Sequence, residues 1–179
     1  MGKIKVALIG LGNCASALLQ GITYYQDRDP EGVMTPDIGG YKPSDIEVVT
    51  AFDVNANKIG LRIDKAVQMS PNNAYVFANV HNENLVQPGV VLDSMADYQY
   101  HDFALKDGLL SGDDWSKVGP KIYHESYELE DQIESVQSVV RALKESGAEV
   151  AVNYLPVGSR QASRFYAYCC LCAGVSFIN

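Results

Sequence analysis

Gly10, Gly12 and Ala15 stand in the spacing G-x-G-x-x-A, behind the apolar run Val6-Ala7-Leu8-Ile9 and ahead of an apolar segment that Asn13, Cys14 and Ser16 open. Residues of these types at this spacing can hold a pyrophosphate. Gly10 lets the chain turn sharply off a strand, Gly12 leaves room for phosphate oxygens against the backbone, and Ala15 lets the next helix lie close to the sheet. The first turn of that helix presents unpaired N–H groups and a partial positive charge. Two glycines after a strand also suit an ordinary tight turn, so the fingerprint calls for an acid at the end of the following strand.

Residues 46–52, IEVVTAF, read as that strand, and Asp53 ends it. A carboxylate there can accept hydrogen bonds from both hydroxyls of an adenosine ribose, and it repels a 2′-phosphate, so the pattern selects NAD over NADP. The alternative is that Asp53 merely caps a helix over 57–67. Farther along, a strand over 149–154 leads into Leu155-Pro156-Val157-Gly158-Ser159. Ser159 is placed to cap a helix over 160–173, which gives a second strand, glycine loop and helix N-terminus. Either this turn is another phosphate cradle or it is a plain capped βα turn.

Cys169, Cys170 and Cys172 crowd the last helix. Cys169 and Cys172 share a face by helical spacing and Cys170 lies about 100° away. A structural zinc needs four ligands in paired spacings, which the neighbourhood lacks, so no metal is assigned and the three read as small buried hydrophobes. His81, His101 and His124 are scattered and suggest no nucleophile–His–acid order.

The elements that must position these residues alternate between strand and helix. Residues 3–9 form a nearly continuous apolar strand, as a buried parallel strand requires, and 15–24 the first helix. Residues 26–44, rich in Asp, Gly and Pro, form a long surface insertion suited to function or partner contact. A short strand is expected over 74–77. Residues 79–125 carry little periodicity; Pro88-Gly89 opens GVVLDSM, either a strand end or a helix start. Trp115, Tyr98, Tyr100 and His101 there either line a pocket or pack beneath a loop. Residues 128–146 form the clearest helix, with Leu129, Ile133, Val136, Val140 and Leu143 on one face, acids in the first turn, Lys144 in the last and Gly147 as the stop. A last strand covers 175–178. The expected fold is α/β: a doubly wound parallel sheet with 3–9 central, 46–52 on one side, and 149–154 then 175–178 on the other.

The whole chain bounds the function classes. Its 179 residues suit one domain, here 1–179, with a real core. A hydrophobic content of 47% and charged content of 20% are those of a soluble globular protein. The net charge of −8 disfavours nucleic acid and anionic membranes as partners, though it leaves room for a local basic pocket. No apolar run approaches the ~20 residues that span a bilayer. With no signal-peptide pattern and no disulfide framework, a cytoplasmic location is expected.

Three stretches together resemble the inositol-1-phosphate synthase (myo-inositol-phosphate synthase) family in its shorter prokaryotic form. They are VALIGLGNCASALLQGITYY, VVTAFDVNANKIG around Asp53, and NYLPVGSRQASRFYAYCCLCAGVSFIN; the LPVGS run after a strand is the distinguishing feature. The resemblance implies an NAD-dependent isomerase that turns glucose 6-phosphate into an inositol monophosphate. The sugar is oxidised at C5, which acidifies the neighbouring proton; an enolate closes the ring by aldol addition, and the hydride returns. It implies that Gly10, Gly12, Asn13, Cys14 and Ala15 face the pyrophosphate and Asp53 the ribose, with Tyr154, Leu155, Pro156 and Ser159 toward the nicotinamide. It also implies a sugar phosphate as partner and a homo-oligomer, a tetramer in the family.

The sequence departs from the family in two places. Gln87-Pro88-Gly89-Val90-Val91-Leu92-Asp93-Ser94 stands where relatives have an Arg-Gly and an Asp-Gly, and the region after Ser94 is longer. The chain also stops at Asn179, about halfway through a family member, so the half with the catalytic lysines and most of the tetramer interface is expected to be missing. No catalytic residue is assigned. Besides the synthase part, two classes stay open: an NAD-binding module or sensor without turnover, and an oxidoreductase of another substrate.

Overall fold

The computed structural model describes residues 2–28, 31–94 and 129–179. Five strands form one sheet: β1 (Ile4–Ile9), β2 (Ile46–Asp53), β3 (Val86–Pro88), β4 (Val150–Asn153) and β5 (Ser176–Ile178). Their order is β3-β2-β1-β4-β5 and every pairing is parallel. Around them lie α1 (Asn13–Tyr24), α2 (Ile63–Ala66), α3 (Leu129–Ser146) and α4 (Arg160–Ala173). This is the expected doubly wound, Rossmann-like arrangement, with β1 at its centre.

The alternation of a strand explains both layers. On one face Val6 and Leu8 meet Leu11, Ala15 and Leu19 of the first turn and α1, with Ile63, Ala66 and Val67 beyond. On the other Ala7 and Ile9 meet Phe52, Val139 and Leu143 of α3, and Tyr166, Cys169 and Cys170 of α4. Both sides of β1 are buried, which is why its sequence is apolar without alternation. Each of Leu8 and Ile9 contributes about 1.5–3 kcal/mol by burial. The chain therefore leaves β1 for one face through α1 and comes to β4 from the other. The point where the winding changes side lies between the C-terminal ends of β1 and β4, where open α/β sheets hold ligands. The β1–β2 register slips by one residue between Val6 and Ala7, so that Val6 pairs with Val48 and Ala7 with Thr50.

Three elements differ from expectation. The helix expected over 57–67 shrinks to α2, because residues 60–63 pair elsewhere: the Gly60 and Ile63 N–H groups donate to the Val86 and Asn84 carbonyls, and Val86 N–H donates to Leu61. No strand forms at 74–77. That stretch lies over α1, where the buried Gln20 accepts from the Phe77 N–H at 2.7 Å. The third strand is instead Val86–Pro88, the strand end that Pro88-Gly89 allowed. In α3 the buried line is Ser135, Val139 and Leu143, while Ile133 is 48% exposed. Leu143 of the expected face is buried and Val136 and Val140 pack at the edge of the same core, so the face is turned slightly toward Val139 and takes in the polar Ser135.

The insertion over 26–44 carries a Gly39-Gly40 turn closed by an Ile38–Tyr41 bridge. Trp115, Tyr98, Tyr100, His101 and His124 lie outside the described residues. Cys169 and Cys170 are buried as expected, but Cys172 is exposed. Burial pushes the Cys169 thiol up to about 12 and the Cys170 thiol to about 11. Among the described residues no helix is long and apolar enough to cross a membrane.

Candidate cofactor site

A cleft opens at the C-terminal ends of β1, β2 and β4, between the Gly10-Leu11-Gly12 turn, the Asp53–Lys58 segment, Pro71-Asn72 and the Tyr154-Leu155-Pro156 turn. Of the residues singled out in the sequence, Gly10, Gly12, Asp53, Tyr154, Leu155 and Pro156 line it. The sheet brings them together from three separate parts of the chain.

The two glycines do different work. Gly10 has φ +88°, and a Cβ there would lie 3.1 Å from the Tyr154 carbonyl oxygen. Its backbone is tied on both sides, with Gly10 N–H donating to Phe52 and Tyr154 N–H donating to Ile9. Gly10 thus lets β1 turn while β4 presses against it. Gly12, by contrast, would meet nothing within 4 Å if it carried a Cβ. It is the N-cap of α1, with φ −80° and no side-chain cap on the helix. An open backbone cradle at an uncapped helix N-terminus is what a phosphate group requires.

Ala15 is fully buried and keeps α1 on the sheet. Asn13 is not among the residues lining the cleft: its side-chain oxygen accepts from the Asn73 and Ala74 N–H groups at 2.9 and 3.0 Å, and its amide donates to Asn73 Oδ1. It fastens the 72–74 segment to the first turn of α1. Cys14 is exposed. It lies close enough to Tyr154 to add to the effect of burial, which raises the phenol above its ordinary range.

Asp53 turns its carboxylate toward the glycine turn. One oxygen accepts from Leu11 N–H at 2.9 Å and the other from Asn55 N–H at 2.8 Å. It caps no helix over 57–67. Beneath it lies Lys58, whose side chain is only 3% exposed; its ammonium donates to the Leu11 carbonyl at 2.8 Å and to Asn72 Oδ1 at 3.0 Å, with an Asp53 oxygen at 3.9 Å. Burial lowers the lysine from its ordinary value, and Asp53 opposes that shift. Asn72 Nδ2 donates to the same Leu11 carbonyl at 2.8 Å. Beside them Asn55 is 6% exposed and its side-chain oxygen accepts from Asn57 N–H, while its buried Nδ2 has no partner.

The second turn behaves differently. Ser159 occupies the N-cap position of α4, but its hydroxyl donates to the Pro156 carbonyl at 2.7 Å. The cap comes from Asp93, whose two oxygens accept from Gln161 and Ala162 N–H at 2.8 Å each. A carboxylate from another part of the chain thus occupies the N-terminus of α4, and of the two readings of this turn the capped one holds. Leu92, at φ +45°, delivers Asp93 to that position.

Lys58, Asn55, Asn72 and Asp93 join the site without a local signal in the sequence that marks them for it. Nothing near Lys58 or Asn72 in sequence points to Leu11, and only the fold brings them to its carbonyl. Asp93 was visible within a family departure, but its partner lies 68 residues away.

Comparison with known proteins gives the site its context. No family model matches the sequence. The chain is 38% identical over 99% of its length to an inositol-3-phosphate synthase of Mycolicibacterium smegmatis and covers 43% of that protein. The protein of that name from Mycobacterium tuberculosis strain H37Rv is also 38% identical, with 42% of it covered; the one from Corynebacterium glutamicum is 34% identical, with 43% covered. The crystal structure of Ari2 superposes with a TM-score of 0.70 at 28% identity, over 99% of this chain and 46% of Ari2. A myo-inositol-1-phosphate synthase-related protein of Thermotoga maritima has the same fold, with a TM-score of 0.64 at 22% identity, over 98% of this chain and 47% of its own. The chain spans less than half the length of the curated relatives it matches, and it is similar to them over nearly all of its own length.

Proposed function

We propose that this chain is the dinucleotide-binding part of an inositol-phosphate synthase and holds NAD across the β1–β4 switch point. One contrast carries the reading: the α1 N-terminus is uncapped behind a glycine whose missing Cβ leaves open space, whereas the α4 N-terminus is closed by Asp93. The residues fit the cofactor. Gly12 and the first turn of α1 would take the pyrophosphate. Asp53 keeps acceptor capacity for ribose hydroxyls beyond its two backbone bonds, and the unpartnered Asn55 amide lies beside it. Tyr154, Leu155 and Pro156 would bound the nicotinamide end.

In the reaction of such an enzyme, the bound cofactor supplies a hydride acceptor that later returns the hydride. The residues described here bind and orient. The same reading gives the complete enzyme glucose 6-phosphate as substrate, an inositol monophosphate as product, a cytoplasmic location and a homo-oligomeric state.

A second reading concerns turnover. Stabilising an enolate calls for several converging cations. Among the described residues lining the cleft, Lys58 is the one cation, and its ammonium is already committed to Leu11 and Asn72. The 179-residue chain by itself would then bind NAD without cyclising glucose 6-phosphate. Two measurements test both readings: calorimetric titration with NAD and NADP, and an assay of inositol phosphate formation with NAD present. Equal affinity for the two cofactors, or no NAD binding, would sink the first reading; turnover by a verified 179-residue product would sink the second.

A further inference from the structure

We infer that Lys58, seconded by Asn72, is a positioning residue for the cofactor, holding the Leu11 peptide so that the glycine turn keeps its cradle shape and the charge of Asp53 is balanced beside the phosphate site. The inference rests on the NAD-binding reading above and adds to it the residue that prepares the turn.

The Leu11 peptide is gripped from both sides. Its N–H donates to Asp53, and its carbonyl accepts from Lys58 Nζ and from Asn72 Nδ2. Asn72 is itself held, because Nδ2 also donates to the Val67 carbonyl at 2.9 Å and Oδ1 accepts from Lys58. Leu11 is the residue between the two glycines, so these bonds fix the orientation of the turn before any ligand arrives. Its side chain is fully buried, which anchors the same residue from within.

A hydrophobic core residue would serve stability better than a buried ammonium at the position of Lys58, since removing a lysine from water is unfavourable unless it is paired. What the ammonium adds is charge. Asp53 touches the turn that would carry the pyrophosphate, and an unbalanced carboxylate there would repel it. The segments packed against Lys58 are the glycine turn, the end of β2, and 71–73; among the described residues on them, Asp53 is the charged group that faces Lys58, and Asn72 and the Leu11 carbonyl are neutral. Because burial depresses the lysine, its charge is lost below the pH at which an exposed lysine titrates.

The experiment is calorimetric NAD titration of the full 179-residue chain from about pH 7 to about pH 10, with far-UV circular dichroism at each pH. It is repeated for Lys58→Met, Lys58→Arg and Asn72→Ala. The unmodified chain should bind NAD with constant affinity near neutrality and lose about tenfold toward the alkaline end, about 1.4 kcal/mol. Lys58→Met should be about tenfold weaker at neutral pH and lack the alkaline limb, Lys58→Arg should be flat across the range, and Asn72→Ala should weaken binding while keeping the limb. A lysine that only supported the fold would lower the melting temperature and leave the affinity of the folded protein unchanged. Folded Lys58→Met that binds NAD within twofold of the unmodified chain overturns the inference. Should Lys58→Met fail to fold, the unmodified chain decides, and a flat affinity up to the alkaline end overturns it. Absence of NAD binding by the unmodified chain at any pH removes the cofactor reading itself and this inference with it.

Discussion

Alanine at Gly10 and alanine at Gly12 should fail in opposite ways, although the two stand in one turn. At Gly10 the new residue would have to keep φ +88°, which for an L-residue is unfavourable by roughly 1–2 kcal/mol. Its Cβ would also stand 3.1 and 3.2 Å from the Tyr154 carbonyl oxygen and carbon. Those are backbone atoms fixed by the Tyr154 N–H bond to Ile9, so β4 would have to move away from β1. Such overpacking adds roughly 1–3 kcal/mol. Together, Gly10→Ala should lose about 2–5 kcal/mol, or roughly 4–20 °C in melting temperature for a chain of this size.

Gly12→Ala meets no steric contact and has an allowed φ of −80°. It gives up a better N-cap residue, about 0.5–1 kcal/mol, and recovers a similar amount by restricting the unfolded chain. Its stability should stay within about 1 kcal/mol of the parent. The added methyl would instead occupy the cradle, and NAD affinity should fall at least about tenfold. Urea unfolding without cofactor, paired with NAD titration, separates the two effects. If Gly12→Ala unfolds as readily as Gly10→Ala, or binds NAD like the parent, the division of labour between the glycines is wrong.

Four further outcomes are expected. Asp53→Ala should erase most of the preference for NAD over NADP in parallel titrations, and an undiminished preference would move the ribose site elsewhere. Asp93→Ala should lose about 1–2 kcal/mol by freeing the Gln161 and Ala162 N–H groups, while Asp93→Asn, still a good cap, should lose less; equal losses in urea unfolding would refute the capping role. In the native protein a thiol reagent should label Cys14 and Cys172 and spare Cys169 and Cys170, as mass spectrometry of the labelled peptides can show. Those two buried thiols titrate near 12 and 11, whereas in the unfolded chain they ionise at about 8.5. The unfolded state therefore binds fewer protons above that point, and stability should fall as pH rises from about 8.5 toward 11. A stability flat across that window would contradict the burial assigned to both.

The frame of the fold is legible in the sequence. An apolar run without alternation before G-x-G-x-x-A reads as a strand buried on both faces, and β1 does lie at the centre of the parallel sheet. An acid at the end of the next strand lands beside the glycine turn, because neighbouring parallel strands end at one edge. Helices α1 and α4 were legible from local signals, and α4 spans the expected residues. What the sequence could not convey were the contacts between distant segments outside this strand order. The helix over 57–67 lost to backbone bonds with 84–86, the strand at 74–77 lost to Gln20, and the serine at the α4 N-cap yielded its role to Asp93. The buried lysine is the clearest case. Nothing near Lys58 in sequence marks it as interior; it becomes so only when β1, β2 and the 71–73 turn converge and offer its charge Asp53, Asn72 and the Leu11 carbonyl. Local propensity and periodicity act over a few residues and fix elements. The desolvation of a charge and the satisfaction of a buried donor depend on atoms brought together from across the chain, and only the tertiary structure decides them.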